Sequence, residues 1–294
     1  MTSRSISFEF FPPKSVEGMS QLASTASELA TLRPHFFSMT YGAGGSTRNG
    51  TVEAVTLLQQ RTPIPLAPHI ACVGATREQM VELLQLYQTM GVQRVVALRG
   101  DLPSGMGQFG EFKYASELVA FIREQTADQF DIEVAAYPEI HPQAQTTRDD
   151  LLNLKRKFEA GANSAITQYF FNPDAYFWYV DECARLGIHM PIVPGIMPIT
   201  QYSKLVRFSE MCGAEIPRWI RKRLEMYADD MPSIQAAGYD IVHELCERLL
   251  KGGAPGLHFY TLNKHEPVMA VLENLGIVPS KQSNEYLLKS FSDN

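Results

Sequence analysis

The sequence predicts a (β/α)8 barrel, the TIM-barrel fold, with an extra helical segment between strands seven and eight. Three observations support this prediction. Short apolar or β-branched runs alternate with amphipathic stretches, eight strand-like runs are each followed by a helical stretch, and 294 residues is close to the usual length of the fold. A doubly wound open sheet shows the same alternation and is the structural alternative.

Eight segments have the length and the apolar composition of buried parallel strands. They are residues 5–11, 35–41, 66–73, 94–99, 133–137, 165–171, 192–196 and 257–262. The helices between and after them are predicted near residues 15–32, 46–61, 76–90, 113–126, 147–160, 174–186, 201–250 and 266–275. The seventh of these stretches is far longer than one helix of the repeat, and it is the extra helical segment.

The stretch 76–90 illustrates how the helices are recognised. Its apolar residues recur at helical spacing, at positions Met80, Leu83, Leu84 and Tyr87. Thr76 and Gln79 have the spacing of a capping box, which satisfies the first free backbone N–H groups of a helix. Gly91 and Gly187 stand where helices end, because glycine adopts the left-handed conformation found just beyond a helix.

Composition and charge exclude several classes of protein. The net charge of −6 argues against a nucleic-acid partner, because binding phosphates needs a basic surface. No apolar run approaches the roughly 20 residues of a membrane-spanning helix. The four cysteines are far apart and form no Cys-x-x-Cys pair. No signal peptide precedes the first strand, so we expect a reduced, cytoplasmic protein.

Candidate catalytic residues are sought at the carboxyl ends of the strands, where barrel enzymes carry their chemistry. Glu9 lies in the first strand among Phe8, Phe10 and Phe11. A carboxyl group in apolar surroundings has a raised pKa and can remain protonated near neutrality, so Glu9 is a candidate functional residue. An edge-strand carboxylate is the alternative for Glu9. A histidine placed like His69 on the third strand is more often a hydrogen-bonded core residue than a ligand.

The stretch RVVALRGDLP (94–103) carries a buried-looking strand directly into Arg-Gly-Asp. Three interpretations compete: an adhesion motif, an ordinary polar turn, and a ligand-binding loop at a strand end. The expected cytoplasmic location argues against adhesion, which needs an extracellular protein. Residues 105–110 also match the dinucleotide pattern G-x-G-x-x-G, but four residues separate them from the strand, and we interpret them as a loop.

The predicted helix 147–160 has a polar stripe beside its apolar face. Asp150, Asn153 and Lys157 form the stripe, with Arg156 next to it. Such a stripe is usually a solvated surface, but here it follows a strand-end loop, and a phosphate-bearing cofactor can lie over it. No metal-ligand spacing, Gly-x-Ser-x-Gly elbow or Walker lysine occurs, so we expect no metal site.

Taken together, the motifs resemble the methylenetetrahydrofolate reductase family. The resemblance covers nearly the whole chain in order and is carried by the stretches SFEFFPPK (7–14), MTYGA (39–43), APH (67–69), ALRGDLP (97–103), AAYPEIHP (135–142), DLLNLKRK (150–157), AITQYFF (165–171), PGIMP (194–198) and HFYTLN (258–263). It is strongest to the bacterial single-domain form. Residues 1–294 are therefore expected to form one FAD-binding catalytic barrel domain, without a regulatory domain.

The resemblance implies a reaction and its cofactors. FAD is reduced by NADH or NADPH and then reduces 5,10-methylenetetrahydrofolate to 5-methyltetrahydrofolate, with the two substrates taking turns at one flavin face. The partners are then these small molecules, with neither nucleic acid nor membrane, and we expect a homo-oligomer. In this setting Arg-Gly-Asp is a cofactor loop, and the adhesion interpretation is rejected.

The resemblance also implies roles for individual residues. The residues expected around FAD are Thr40, Tyr41, Ala43, His69, Arg99, Gly100, Asp101, Ala115, Tyr137 and His141. Those expected at its adenosine and diphosphate end are Asp150, Asn153, Arg156 and Lys157. Glu9 is the expected general acid, and Asp101 stabilises the cation formed from the folate. Gln168 contacts both nicotinamide and folate.

Two predicted substrate-binding positions depart from the family pattern. Tyr202 stands where a stacking phenylalanine can occur, and it keeps the ring face. Lys264 stands where an arginine can occur, and it keeps the charge but loses the two-pronged hydrogen-bonding geometry.

Two other functions are compatible with an FAD-type barrel sequence. One is a proline dehydrogenase-like enzyme, which would need cationic side chains to hold a substrate carboxylate and would not need Glu9. The other is a flavin-free folate-binding partner protein that keeps the barrel.

Overall fold

The computed structural model describes residues 5–41, 47–100 and 110–277. Nine parallel strands form its sheet: β1 Ser5–Phe10, β2 Phe36–Met39, β3 Leu66–Ala71, β4 Arg94–Leu98, β5 Asp131–Ala136, β6 Ser164–Thr167, β7 Ile192–Val193, β8 Gly195–Ile196 and β9 Gly256–Tyr260. The helices are α1 Val16–Ala30, α2 Thr47–Arg61, α3 Arg77–Thr89, α4 Ala115–Thr126, α5 Thr147–Glu159, α6 Pro173–Arg185, α7 Tyr202–Cys212, α8 Arg218–Glu225, α9 Met231–Lys251 and α10 Glu266–Asn274.

The sheet curls into a nearly closed barrel, which confirms the predicted fold class. Its strand order is β7-β6-β5-β4-β3-β2-β1-β9-β8, so the two edge strands are consecutive in the chain. Only Pro194 separates them, and its carbonyl accepts a hydrogen bond from the His258 backbone at 3.0 Å. An open doubly wound sheet would keep its edge strands apart, and that alternative is therefore wrong.

Several predicted boundaries need correction. The predicted strand 192–196 is two short strands, because proline cannot donate to the ladder and interrupts it. The sixth strand ends at Thr167 rather than at residue 171. The stretch 201–250 is three helices: Gly213 ends α7 in the left-handed conformation (φ 77°), Pro217 precedes α8, and the Asp230 side chain caps α9.

The helix-end signals in the sequence are confirmed. The Thr76 and Gln79 side chains form the predicted capping box at the start of α3. Gly91 and Gly187 follow α3 and α6 with φ values of 72° and 78°, the left-handed conformation for which glycine was expected there.

Alternation along β1 decides which side chains reach the barrel interior. Phe8 and Phe10 point outward into the apolar layer between sheet and helices, where Phe8 lies 6.1 Å from Phe37 between ring centroids. Ser7 and Glu9 point inward. Successive side chains of a strand lie on opposite faces of the sheet, so the phenylalanines beside Glu9 in sequence do not surround it in space.

The interior is polar at its floor as well as at its mouth. Buried Glu133 forms an ion pair with Arg94 and accepts a hydrogen bond from Ser164. The Arg94 guanidinium lies 5.0 Å from the centroid of the Phe36 ring, and that ring stacks on His258 at 5.8 Å. These contacts close the barrel below the site. No helix in the described part of the chain is long and apolar enough to cross a membrane.

Gly195 provides a test of the closure of the barrel. A Cβ at this position would lie 2.1 Å from the Thr167 carbonyl oxygen and 2.7 Å from the Tyr260 ring. Gly195→Ala should therefore lower the free energy of unfolding by at least the ~1–3 kcal/mol typical of overpacking, measured by urea denaturation.

Gly50→Ala, within α2, is the matched control. A Cβ at Gly50 would lie 3.8 Å from its nearest neighbour, Pro12 Cβ, which is an ordinary van der Waals distance. It should be stabilising by about 0.5–1 kcal/mol, since alanine favours helix over glycine. Equal unfolding midpoints for the two variants would contradict the close approach at Gly195.

Candidate active site

Two adjoining cavities occupy the carboxyl end of the barrel. The first has a volume of about 580 Å³ and the second about 290 Å³. Five residues line both of them: Leu98, Ala135, Tyr137, His141 and Gln143. The cavities therefore form an elongated site, with one compartment over the barrel axis and the other reaching outward to α4 and α5.

The structure brings most of the predicted site residues to these cavities. Glu9, Thr40, Tyr41, His69, Tyr137, His141 and Gln168 line the first cavity. The second is lined by Arg99, Gly100, Ala115, Tyr137, His141, Asp150, Asn153 and Lys157. Ala43, Asp101 and the Gly-rich residues 105–109 lie outside the described residues. Arg156 is exposed on α5 and donates a hydrogen bond to Asn153 Oδ1 at 2.7 Å.

Glu9 lies at the base of the first cavity between two histidines. Its Oε2 is 3.3 Å from His69 Nε2 and 3.4 Å from His258 Nε2. Ser38 on the neighbouring strand donates to the same oxygen at 3.4 Å. The Glu9 side chain keeps 16% of its surface exposed, whereas that of His258 is fully buried. The carboxylate therefore faces the cavity while its donors lie behind and beside it.

The expected raised pKa of Glu9 is wrong. Burial acts to raise it, but the charge of His69 and the hydrogen bonds from both histidines outweigh burial and lower the pKa from 4.5 to about 2. The error has a physical cause, because the apolar neighbours in sequence pack on the other face of β1. Within the described residues no metal-binding group of side chains is found.

His258 and Ser7 are site residues that the sequence interpretation missed. Ser7 and His258 are direct partners in the parallel pairing of β1 with β9. Ser7 Oγ and His258 Nδ1 are 2.7 Å apart, so the serine fixes the ring while Nε2 faces Glu9. Both lie within quoted motifs, but their contact joins strands 251 residues apart. In a closed barrel the first strand pairs with the last, and this expectation could have predicted the contact of Ser7 with His258.

The second cavity holds the half-buried amine of Lys157 next to the buried carboxylate of Asp150. Lys157 donates to the Ala135 carbonyl, and Asp150 Oδ2 accepts the His141 backbone N–H at 3.0 Å. Burial lowers the pKa of Lys157 to about 8, although the Asp150 charge opposes this. Burial also raises the pKa of Asp150. An anion bound here would add a second negative charge beside Lys157 and would favour its charged form.

The Arg-Gly segment after β4 forms one wall of the second cavity. Gly100 has φ 84°, and a Cβ there would lie 2.6 Å from Val73 Cγ1, so this turn requires glycine. The Arg99 guanidinium donates to Gln143 Oε1 at 2.5 Å, across the boundary between the two cavities. This arrangement agrees with a ligand-binding loop at a strand end.

Tyr202 and Lys264 are not among the described residues that line the cavities. Tyr202 begins α7, and its hydroxyl donates to Glu225 Oε1 at 3.3 Å. Lys264 is exposed after β9. The α7 residues at the first cavity are instead Phe208, Met211 and Cys212, joined by Tyr169 and Tyr260 from the strand ends. The sequence interpretation missed these five.

The fold and the site define a (β/α)8-barrel enzyme with a small-molecule site at the barrel mouth. The family model of methylenetetrahydrofolate reductase matches residues 1–276. The chain therefore belongs to the methylenetetrahydrofolate reductase family of oxidoreductases, which confirms the resemblance seen in its motifs.

Individual relatives agree with this assignment. The chain is 40% identical over 274 residues to the 5,10-methylenetetrahydrofolate reductase of Salmonella typhimurium, covering 93% of this chain and 91% of the relative. It is 37% identical to a probable methylenetetrahydrofolate reductase (NADH) of Oryza sativa, of which it spans 50%. A Clostridium thermocellum protein that binds 5-methyl-5,6,7,8-tetrahydrofolic acid has a similar structure, with a TM-score of 0.63 at 17% identity over 92% of this chain and 94% of that protein.

The low pKa of Glu9 predicts a particular pH dependence of stability. A carboxylate whose pKa is lowered in the folded protein stabilises it above the unfolded value of about 4.5, and this contribution is lost as the pH falls towards 2. Glu9→Gln should therefore lower the free energy of unfolding by about 1–3 kcal/mol at pH 6, the range for hydrogen bonds to charged groups. The deficit should shrink progressively below pH 4.5.

Urea denaturation of wild type and variant across this pH range measures the effect. Glu124→Gln, an exposed carboxylate on α4, serves as the control and should be nearly neutral throughout. A Glu9→Gln deficit that stays constant down to the lowest accessible pH would contradict an ionised Glu9.

Proposed function

We propose that this chain reduces 5,10-methylenetetrahydrofolate to 5-methyltetrahydrofolate with electrons from NADH or NADPH, passed through bound FAD in a ping-pong reaction. The observation that carries the proposal is the placement of Glu9. Its carboxylate faces a cavity of about 580 Å³ from a network of buried donors, and a second cavity adjoins the first.

The shape and chemistry of the site fit FAD. The two cavities together are elongated, as a dinucleotide requires, and the first is broad enough for a ring system. Lys157 and Arg156 would hold the diphosphate, while Arg99 and the close approach of backbone at Gly100 would line the path between the two ends. Bound FAD would supply hydride transfer between the nicotinamide and the folate.

The protein's own contribution to folate reduction is a proton. The folate substrate bridges N5 and N10 through its methylene carbon, and the ring opens when N10 is protonated. Glu9 would donate this proton to N10. Because the Glu9 pKa is low in the ligand-free site, we infer that the bound substrate raises it, so that the carboxyl carries a proton when N10 accepts one.

His258 is placed to return a proton to Glu9. Its Nε2 is 3.4 Å from Glu9 Oε2, and its Nδ1 is held by Ser7 at 2.7 Å. An imidazolium can use both N–H groups in these two contacts, so the ring needs no reorientation when it loses the Nε2 proton. Asp101 would stabilise the cationic folate formed on ring opening, and Gln168 would contact the nicotinamide and the folate in turn.

The lining of the first cavity disfavours an amino-acid oxidiser. Such an enzyme needs a cation to hold its substrate carboxylate. Among the described residues, the lining of this cavity contains neither lysine nor arginine. A flavin-free binding protein would in turn have no use for a buried proton-donating network beneath the cavity.

Glu9→Gln separates the two halves of the reaction. The amide keeps the size of the side chain but cannot release a carboxylic proton. In the absence of methylenetetrahydrofolate, the variant should still oxidise NADH or NADPH with an artificial electron acceptor, since hydride transfer to flavin needs no acid. Reoxidation of the reduced flavin by methylenetetrahydrofolate should slow by the ~10²–10⁴ typical of a lost general acid.

Stopped-flow absorbance of the flavin follows each half-reaction. Testing NADH and NADPH separately in the reductive half also identifies the preferred reductant. Reoxidation of Glu9→Gln by methylenetetrahydrofolate near the wild-type rate would remove Glu9 as the acid. A protein that purifies without flavin and oxidises neither nicotinamide would overturn the proposed function itself.

The diphosphate position is tested by FAD retention. The double substitution of Arg156 and Lys157 by alanine should weaken FAD binding by at least about tenfold, which is roughly 1.4 kcal/mol, because two cations are lost. Lys155→Ala is the matched control, since this neighbouring lysine pairs with Glu159 and does not line the second cavity. Equal FAD affinities of the double variant and the control would refute this placement.

A further inference from the structure

Glu139 is a titratable side chain at the barrel mouth that the proposed reaction does not use. It lies in the loop that follows β5, between Tyr137 and His141, which we call the β5 loop (residues 137–146). Its Oε2 accepts the Glu215 backbone N–H at 2.8 Å. Its Oε1 is buried and has no hydrogen-bond partner within the described residues.

The partner of Glu139 belongs to the segment that follows the cavity wall. Glu215 lies between α7 and α8, and α7 lines the first cavity through Phe208, Met211 and Cys212. At Gly213 the chain passes so close to the β5 loop that a Cβ would lie 2.8 Å from Pro142 Cγ. The contact of Glu139 with Glu215 therefore fastens the end of α7 to the β5 loop.

A second polar contact holds the same helix further back. The Tyr169 hydroxyl and Ser209 Oγ are 3.0 Å apart, and both are buried. This contact joins the end of β6 to α7 without passing through Glu139. It gives the helix a fixed point about which the Cys212–Ile216 end can move if the Glu139 contact is lost.

The described groups that act on Glu139 supply no opposite charge. Glu215 carries the same charge on the α7–α8 segment, and it acts to raise the Glu139 pKa. Tyr169, after β6, has a pKa raised by burial, to which Cys212 and the Glu139 charge add. Among the causes acting on Glu139, only the Glu215 N–H favours the ionised carboxyl.

We propose that Glu139 is a positioning residue: in its protonated form it holds the end of α7 against the β5 loop, and its ionisation releases that wall of the cavity. A neutral carboxyl can be buried here with one oxygen accepting the Glu215 N–H. A charged one lies beside a like charge without a cation, and it gains from hydration when the segment moves away.

The direction of the pH effect follows from linkage. Burial raises the pKa of Glu139 from 4.5 to about 7 in the closed arrangement, with the Glu215 charge adding and its N–H opposing. In the released arrangement the hydrated carboxyl returns towards 4.5. The closed form is therefore favoured below about pH 4.5 and loses this advantage as the pH rises to about 7, by at most tenfold per pH unit for one proton.

Hydrogen–deuterium exchange of the flavin-bound protein at pH 5 and pH 7.5 tests the proposal. After correction for the chemical exchange rates, amides of residues 210–216 should lose protection in wild type by roughly tenfold or more over this range. In Glu139→Gln the neutral amide accepts the same N–H at every pH, so protection should stay high and flat. Glu139→Ala, which lacks an acceptor, should be poorly protected at both pH values.

Two carboxylates on the same segment provide further variants. Glu210→Gln is the matched control, because this exposed residue of α7 takes no part in the contact, and its profile should equal that of wild type. Glu215→Gln removes the like charge and should reduce the pH response. If Glu139→Gln does not fold, a pH response of residues 210–216 that persists in Glu139→Ala overturns the proposal.

A Glu139→Gln profile that follows wild type, or a wild type whose protection does not change between the two pH values, overturns the proposal directly. The exchange measurement needs no turnover of nicotinamide or folate. A failure of this inference is therefore distinguishable from a failure of the proposed reaction, which the flavin half-reactions report.

Discussion

A carboxylate that points into a parallel barrel must be matched by donors from the neighbouring strands. Glu9 is matched by Ser38 on β2, His69 on β3 and His258 on β9. Each of these positions has the inward phase of its own strand, so a one-residue shift in any pairing would turn a donor to the outer face. The register of the sheet therefore determines which side chains can hydrogen-bond to Glu9 at the mouth of the barrel.

The same constraint explains why the barrel interior is not filled with aliphatic side chains. Below the Glu9 network, the stacked pair of Phe36 and His258 meets Arg94, and Arg94 is neutralised by Glu133. A buried ion pair is poor evidence for stability by itself, because desolvation offsets much of the attraction. Its position suits another role, which is to satisfy the polar groups at the floor of the barrel.

The sequence was informative wherever the deciding interaction is local. The strand segments, the α3 capping box and the polar stripe of α5 each depend on residues close together in sequence. The structure has these elements near the predicted positions. The surroundings of Glu9 depend instead on pairings such as Ser7 with His258, 251 residues apart. Phe8 and Phe10 are adjacent to Glu9 in sequence but lie across the sheet from it. Residues that are adjacent in a strand point to opposite faces of the sheet, so the sequence neighbours of Glu9 do not form its surroundings.

The two carboxyl groups at the mouth of the barrel, Glu9 and Glu139, have pKa values shifted in opposite directions. Burial acts on both, but Glu9 has two histidines and a pKa of about 2, whereas Glu139 has a like charge and a pKa of about 7. At neutral pH the first is ionised and the second is partly protonated. In the proposed reaction the proton for the substrate would pass through Glu9, because Glu139 points towards the α7–α8 segment and has no comparable network. The proposed catalytic proton and the proposed proton at Glu139 would thus be held by separate groups, so each could be changed without the other.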